Sequence, residues 1–273
     1  MSMTFAKPYF TIQLSATGFE YDLRVNDVPL DKGAGSVEVE LPLNQWVFSG
    51  TNHLSARLFG PEFSEGASLR AEVFTRQSGT PESTREALAK FSLNLVNGVP
   101  CLSDVDEENI TTEAKLIQEN KNEWKAELTF ELETPFKRWL WLDGASIDMD
   151  EATHRSLLVA YHDFWRRLNA KDMEGVATAM HDAALENLEA YYLTSLKESL
   201  ADLEIEDLIT DPTVQLAPFE DLELQLEIFG NKRLARLVEK GGESPIKFLQ
   251  QGMTIHVDMM FCRTSSGHWV QIR

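Results

Sequence analysis

Residues 9–58 alternate apolar and polar side chains with a period of two. That alternation builds strands and excludes amphipathic helices. Phe10, Ile12 and Leu14 share one side of a strand, and Phe19, Tyr21, Leu23 and Val25 share the next. Val37, Val39 and Leu41 repeat the pattern, as do Leu54, Ala56 and Leu58. Turn formers separate the runs: Thr17 with Gly18, Asn26 with Asp27, Gly33-Ala34-Gly35, and Gly50-Thr51-Asn52. Short strands with regular turn punctuation read as an antiparallel sandwich. Further strands are expected at 67–76, 88–96, 123–132 and 136–142. The polar, mostly acidic stretch 103–123 reads as a long mobile surface loop.

Two segments carry a resemblance. VNDVPL followed by LPLNQWVFSGTNHLSARL resembles a turn-and-strand pattern in accessory β-sandwich domains of sugar-processing enzymes, with Asp27 where a glycine is usual. The resemblance implies a fold and no catalytic residue. Trp46, Trp124, Trp139 and Trp141 would form a sugar-stacking platform if exposed, and core if not.

The period changes near residue 149. Asp148 and Glu151 are spaced as a capping box, and Leu157, Tyr161, Phe164, Trp165 and Leu168 fall on one helical face. A short helix is expected at 172–180. A third is expected at 183–207, with Asp182 as its N-cap and a stripe of Leu185, Leu188, Tyr192, Leu196, Leu200 and Leu203. Period two returns at 222–229. Gly230-Asn231 then predicts a two-residue hairpin placing Phe229 opposite Lys232, Gln225 opposite Arg236 and Glu227 opposite Leu234. A short strand follows at 245–249. A final hairpin closes over Thr264-Ser265-Ser266-Gly267, with Phe261 opposite Val270 and Asp258 opposite Arg273. His256 and Asp258, two apart, would then project from the same strand face as an orienting acid–base pair or a structural one.

The boundaries read as 1–143 for the sandwich and 144–273 for a helix-first α+β domain. Here LLVAYHDFWRRLNAKD, LENLEAYYLTSL and TIHVDMMFCRTSSGHWVQIR resemble the NTF2-like, or SnoaL-like, superfamily. The resemblance implies a curved sheet wrapped on helices around a conical pocket. Its members include isomerases, dehydratases and cyclases as well as non-enzymatic binding or dimerising domains. By position Tyr161, Trp165, Tyr192, Arg233, His256, Asp258 and Arg273 are the pocket candidates. The family's catalytic Asp–His placements do not map onto this chain.

The net charge is −19 and is shared: residues 1–149 carry 13 basic and 23 acidic side chains, and residues 150–273 carry 12 and 21. Such a surface repels nucleic acid and anionic membrane and suits a basic protein partner. Glu198, Asp202 and Glu206, spaced i, i+4, i+8, are read as one acidic docking face rather than a metal site. No phosphate loop, nucleophile elbow, paired metal motif or C-x-x-C occurs, so no cofactor or metal is expected. Cys101 and Cys262 lie far apart, and the first residues lack an apolar leader, which together point to the cytoplasm. The Asn109 sequon has no meaning there. The resulting expectation is a binding or adaptor protein, an acidic immunity-type protein for a basic partner or a homodimer. The alternatives are a pocket enzyme or ligand binder, and carbohydrate binding through the sandwich.

Overall fold

The computed structural model describes residues 5–60, 63, 65–105, 114–220 and 223–273. The chain is mostly β, at 44% strand against 23% helix, and its helices lie in the C-terminal half. It divides into two compact units, Met1–Lys137 and Arg138–Arg273. The sequon at Asn109 falls outside the described residues.

The first unit consists of β1 (Pro8–Val25), β2 (Val28–Pro42), β3 (Gly50–Phe59), β4 (Ser68–Gln77), β5 (Glu86–Val96), β6 (Val99–Ser103), β7 (Ala114–Asn120) and β8 (Glu123–Leu132). Among the described residues these form one nearly closed antiparallel sheet in the order β6-β5-β4-β1-β3-β8-β7, with β2 on the other edge of β1. β1 holds the sheet together. Its first half pairs with β4 and its second half with β3, while β2 runs along both.

The expected turn at Thr17-Gly18 is instead a β-bulge inside this single strand, where the register with β2 shifts between Ala16 and Phe19. The buried positions pass from Phe10, Ile12, Leu14 and Ala16 to Phe19, Tyr21, Leu23 and Val25. Without the bulge that change of parity would turn the second apolar set to solvent. Gly33, Ala34 and Gly35 likewise lie within β2 rather than in a turn. Asn26 and Asp27 form a two-residue hairpin, both at positive φ (51° and 65°), as a type I′ turn requires.

The strands expected at 67–76, 88–96 and 123–132 are β4, β5 and β8. The expected strand at 136–142 is absent: a single 3-10 turn occupies Leu140–Asp143. The expected loop at 103–123 contains a strand, because β7 pairs with β8.

The second unit contains α1 (Glu151–Asn169), α2 (Met173–Ala179), α3 (His181–Tyr191), α4 (Leu196–Asp202) and α5 (Ile205–Thr210). These are followed by β9 (Val214–Leu216), β10 (Gln225–Phe229), β11 (Leu234–Val238), β12 (Lys247–Gln250), β13 (Met253–His256), β14 (Phe261–Arg263) and β15 (Trp269–Gln271). The strands form two small sheets, β10-β11-β14-β15 and β13-β12-β9. Leu157, Tyr161, Phe164 and Leu168 of α1 pack with Leu237, Phe248, Met259 and Phe261 in one core.

Asp150, not Asp148, caps α1 by accepting the Thr153 N–H at 2.7 Å. The long helix expected at 183–207 is three helices. Tyr192 (φ 59°) and Glu204 (φ 56°) adopt the left-handed conformation that ends a helix, and the Ser195 hydroxyl caps α4 by accepting the Glu198 N–H. The buried residues of α3 are Ala183, Ala184, Asn187 and Ala190, while Leu185 is exposed. Asp182 sits in the first turn of α3 and is not its cap.

The β10–β11 loop has four residues, 230–233, so Phe229 pairs with Leu234 and Glu227 with Arg236. This two-residue slip from the expected register keeps each side chain on its face and replaces the Glu227–Leu234 pair by an ion pair at 2.8 Å. The final hairpin slips by one. Phe261 pairs with Gln271 and Cys262 with Val270. Met259, Met260, Phe261 and Cys262 are all buried, so both faces are covered and parity no longer selects the register.

Candidate functional site

The seven pocket candidates stand on different elements of the second unit. Tyr161 is fully buried, and its hydroxyl accepts the Leu237 N–H at 3.1 Å and donates to the Met259 carbonyl at 3.1 Å. β11 and β14 pair at Leu234–Cys262 and Ala235–Phe261, and Leu237 and Met259 stand two residues further along that register. There the strands part, and the Tyr161 hydroxyl takes the place of the missing ladder bond. Burial drives its phenol pKa far upward, with the Asp258 carboxylate adding to the shift. Such a group holds structure and does not exchange protons near neutrality.

Trp165 donates its indole N–H to the Ala217 carbonyl at 2.9 Å. Tyr192 occupies the left-handed cap of α3. Arg233 closes the β10–β11 loop and donates to the Gly144 carbonyl at 2.6 Å. His256 ends β13 and donates from Nδ1 to the Ser244 carbonyl at 3.1 Å. Asp258 lies beyond that strand, in the link to β14, so the two are not neighbours on one strand face. The backbone of Arg273 pairs with Met260 and not with Asp258. His256, Asp258 and Arg273 are exposed.

Of the three docking-face carboxylates, Glu198 and Asp202 share α4 and Glu206 stands on α5. Glu198 accepts from the Thr194 N–H (2.7 Å) and hydroxyl (2.6 Å), which holds its pKa below the usual range. Asp202 accepts from Asn187 at 3.0 Å and ties the end of α4 to α3. Glu206 belongs to α5, on the far side of the Glu204 break. No single i, i+4, i+8 ridge exists. The segment nevertheless stays acidic and outward: Glu204, Glu206 and Asp207 are exposed and, among the described residues, form no ion pair. Among the described residues no group of three or more His, Cys, Asp or Glu is placed to hold a metal ion. Of the four tryptophans proposed as a stacking platform, Trp46, Trp139 and Trp141 are buried and Trp124 is half-buried.

Sequence reasoning missed a groove of about 490 Å³ in the first unit, lined by Gln13, Ser15, Glu38, Arg70, Glu72, Phe74 and Arg85. Its floor is the outward face of β2-β1-β4, where Ser15 stands beside Glu38 and Arg70, and Gln13 beside Glu40 and Glu72. Arg70 bonds Glu72 at 2.5 Å. Arg85 reaches back from the β4–β5 connection to Glu40 (3.1 Å), Glu82 (2.7 Å) and Gln13 (2.8 Å). Its guanidinium lies 3.9 Å over the Phe74 ring. The signal for this site was the polar half of the period-two alternation, which the search for a core sets aside.

Comparison with protein-family models, with characterised proteins and with solved structures finds no match for the chain.

Proposed function

We propose that this chain is a non-catalytic cytoplasmic binding protein that captures a basic protein partner through acidic surface. The observation that carries the reading is the helical segment 198–211, which holds six carboxylates and no basic side chain. Glu204, Glu206 and Asp207 there are exposed and, among the described residues, form no ion pair. Within a net charge of −19, such a segment steers a cationic partner over a distance of about 10 Å at 0.1 M salt. Both cysteines are free thiols, which supports a reducing compartment.

The finer fold readings belong to the same proposal: a sandwich accessory domain followed by an NTF2-like domain that binds rather than catalyses. The helix-first order of the second unit supports the latter. The buried, hydrogen-bonded state of Tyr161 supports a filled core over an open catalytic cone.

Capture from a native lysate at low and high salt, read by mass spectrometry, tests the proposal. A stoichiometric basic protein released by salt, and weakened by Glu204→Lys with Glu206→Lys, is the expected result. A partner retained unchanged at 0.5 M salt, or no partner at low salt, would overturn it.

A further inference from the structure

We infer that the groove on the outward face of β2-β1-β4 is the seat for a basic side chain, an arginine or lysine of an extended segment of the partner. The inference rests on the binding reading above and names a site for it in the first unit. The argument is a charge count. Arg70 is matched by Glu72, and Arg85 is matched twice, by Glu40 and Glu82. Glu38 is exposed and, among the described residues, makes neither a hydrogen bond nor an ion pair. Four carboxylates therefore face two guanidinium groups, and the unmatched one lines the groove. An anion would have to displace ion pairs already formed. A cation meets a free carboxylate, with the Ser15 hydroxyl beside it on the next strand.

Shape agrees with charge. A volume of about 490 Å³ lies within the range of about 300–1,000 Å³ that holds small ligands, and it exceeds one side chain, so flanking backbone enters as well. Arg85 already shows that this floor accepts a planar guanidinium on an aromatic ring. Its tethering by three partners leaves little rotamer freedom to lose on binding.

The test is a titration of the full chain with an acetylated and amidated tri-arginine peptide at low salt, alongside an acidic tri-glutamate peptide and a neutral trisaccharide. Binding of the arginine peptide alone, weakened about fivefold by Glu38→Gln and unchanged by Glu133→Gln at an exposed carboxylate outside both the groove and the 198–211 segment, is the expected result. Equal affinity in Glu38→Gln overturns the assignment, as does equal weakening by Glu133→Gln. Binding of the acidic peptide or the trisaccharide in a manner sensitive to Arg70→Ala also overturns it, because the groove then serves another chemistry. No binding of the arginine peptide by the natural chain overturns it outright. Because Glu38 is exposed on an edge strand, an unchanged melting curve for Glu38→Gln separates loss of the site from loss of fold. Lysate capture that persists while the groove fails leaves the broader reading standing.

Discussion

At the scale of single residues, two buried polar groups hold irregular backbone in place. Asn26 stands in the turn between β1 and β2, and Asn52 in β3. Asn26 donates to the Trp46 carbonyl (2.7 Å) and to Asn52 Oδ1 (2.8 Å), and accepts from the His53 N–H at 2.9 Å. Asn52 donates to the Phe48 and Gly50 carbonyls at 2.8 and 2.9 Å. This pair fastens the β1–β2 hairpin to the chain entering β3. Asn52→Ala strands several buried groups at once and should cost about 3 kcal/mol in urea unfolding; a loss below about 1 kcal/mol would show that water replaces the amide. Tyr161→Phe removes the hydroxyl bridging Leu237 and Met259 and should cost about 1–3 kcal/mol. Hydrogen exchange at the Leu237 amide should quicken in that variant. An unchanged rate would mean that the strands close directly.

At the scale of elements, helix ends decide the second unit. α1 ends with the Lys171 N–H on the Leu168 carbonyl and the Asp172 N–H on the Arg167 carbonyl, both 3.0 Å, a Schellman pattern with Lys171 at φ 53°. Glycine carries no Cβ penalty there, so Lys171→Gly should stabilise the chain by about 0.5–1 kcal/mol in thermal melts. A loss would mean that the lysine side chain contributes more than the backbone strain costs. α3 carries a pH-sensitive group. Burial, with Asp182 and Glu189 nearby, raises the Glu186 carboxyl from 4.5 to about 7 against the opposing Leu140 N–H. The folded state therefore holds this proton more tightly than the unfolded one. Its stabilising contribution is complete below about pH 4.5 and is lost as pH rises to about 7. Glu186→Gln should match the natural chain at pH 4 and exceed its stability at pH 8 by roughly 2–3 kcal/mol. Equal stability at both values would show that Glu186 is ionised without penalty. Ionised Glu186 and Asp182 also help hold the buried Cys262 thiol up at about 12, with burial the larger cause, so alkylation at neutral pH should favour Cys101.

For the whole molecule, charge is the dominant property. A net −19 spread over both halves repels itself in the compact state. Raising sodium chloride from 10 to 300 mM should raise the melting temperature by a few degrees, because the screening length falls below the spacing between like charges. A melting temperature that is flat or falling with salt would mean that ion pairs such as Arg236–Glu227 outweigh the repulsion. Among the described residues no helix is long and apolar enough to cross a membrane.

Strand content in the first half, helices at the start of the second, and most of their core positions were legible because periodicity is a local property of the chain. The type I′ turn at Asn26-Asp27 was legible for the same reason: its conformation belongs to two residues. The joining of two expected strands into β1 was hidden, since Thr17-Gly18 serves equally as a turn or a bulge and only the pairing with β2 distinguishes them. The last hairpin was misread by one residue because both its faces are covered. The break at Tyr192 and Glu204 was invisible for want of glycine. The groove was decided by tertiary structure alone. Which polar side chains share a face depends on strand order, and strand order is set by pairing between residues as distant as Ser15 and Arg70.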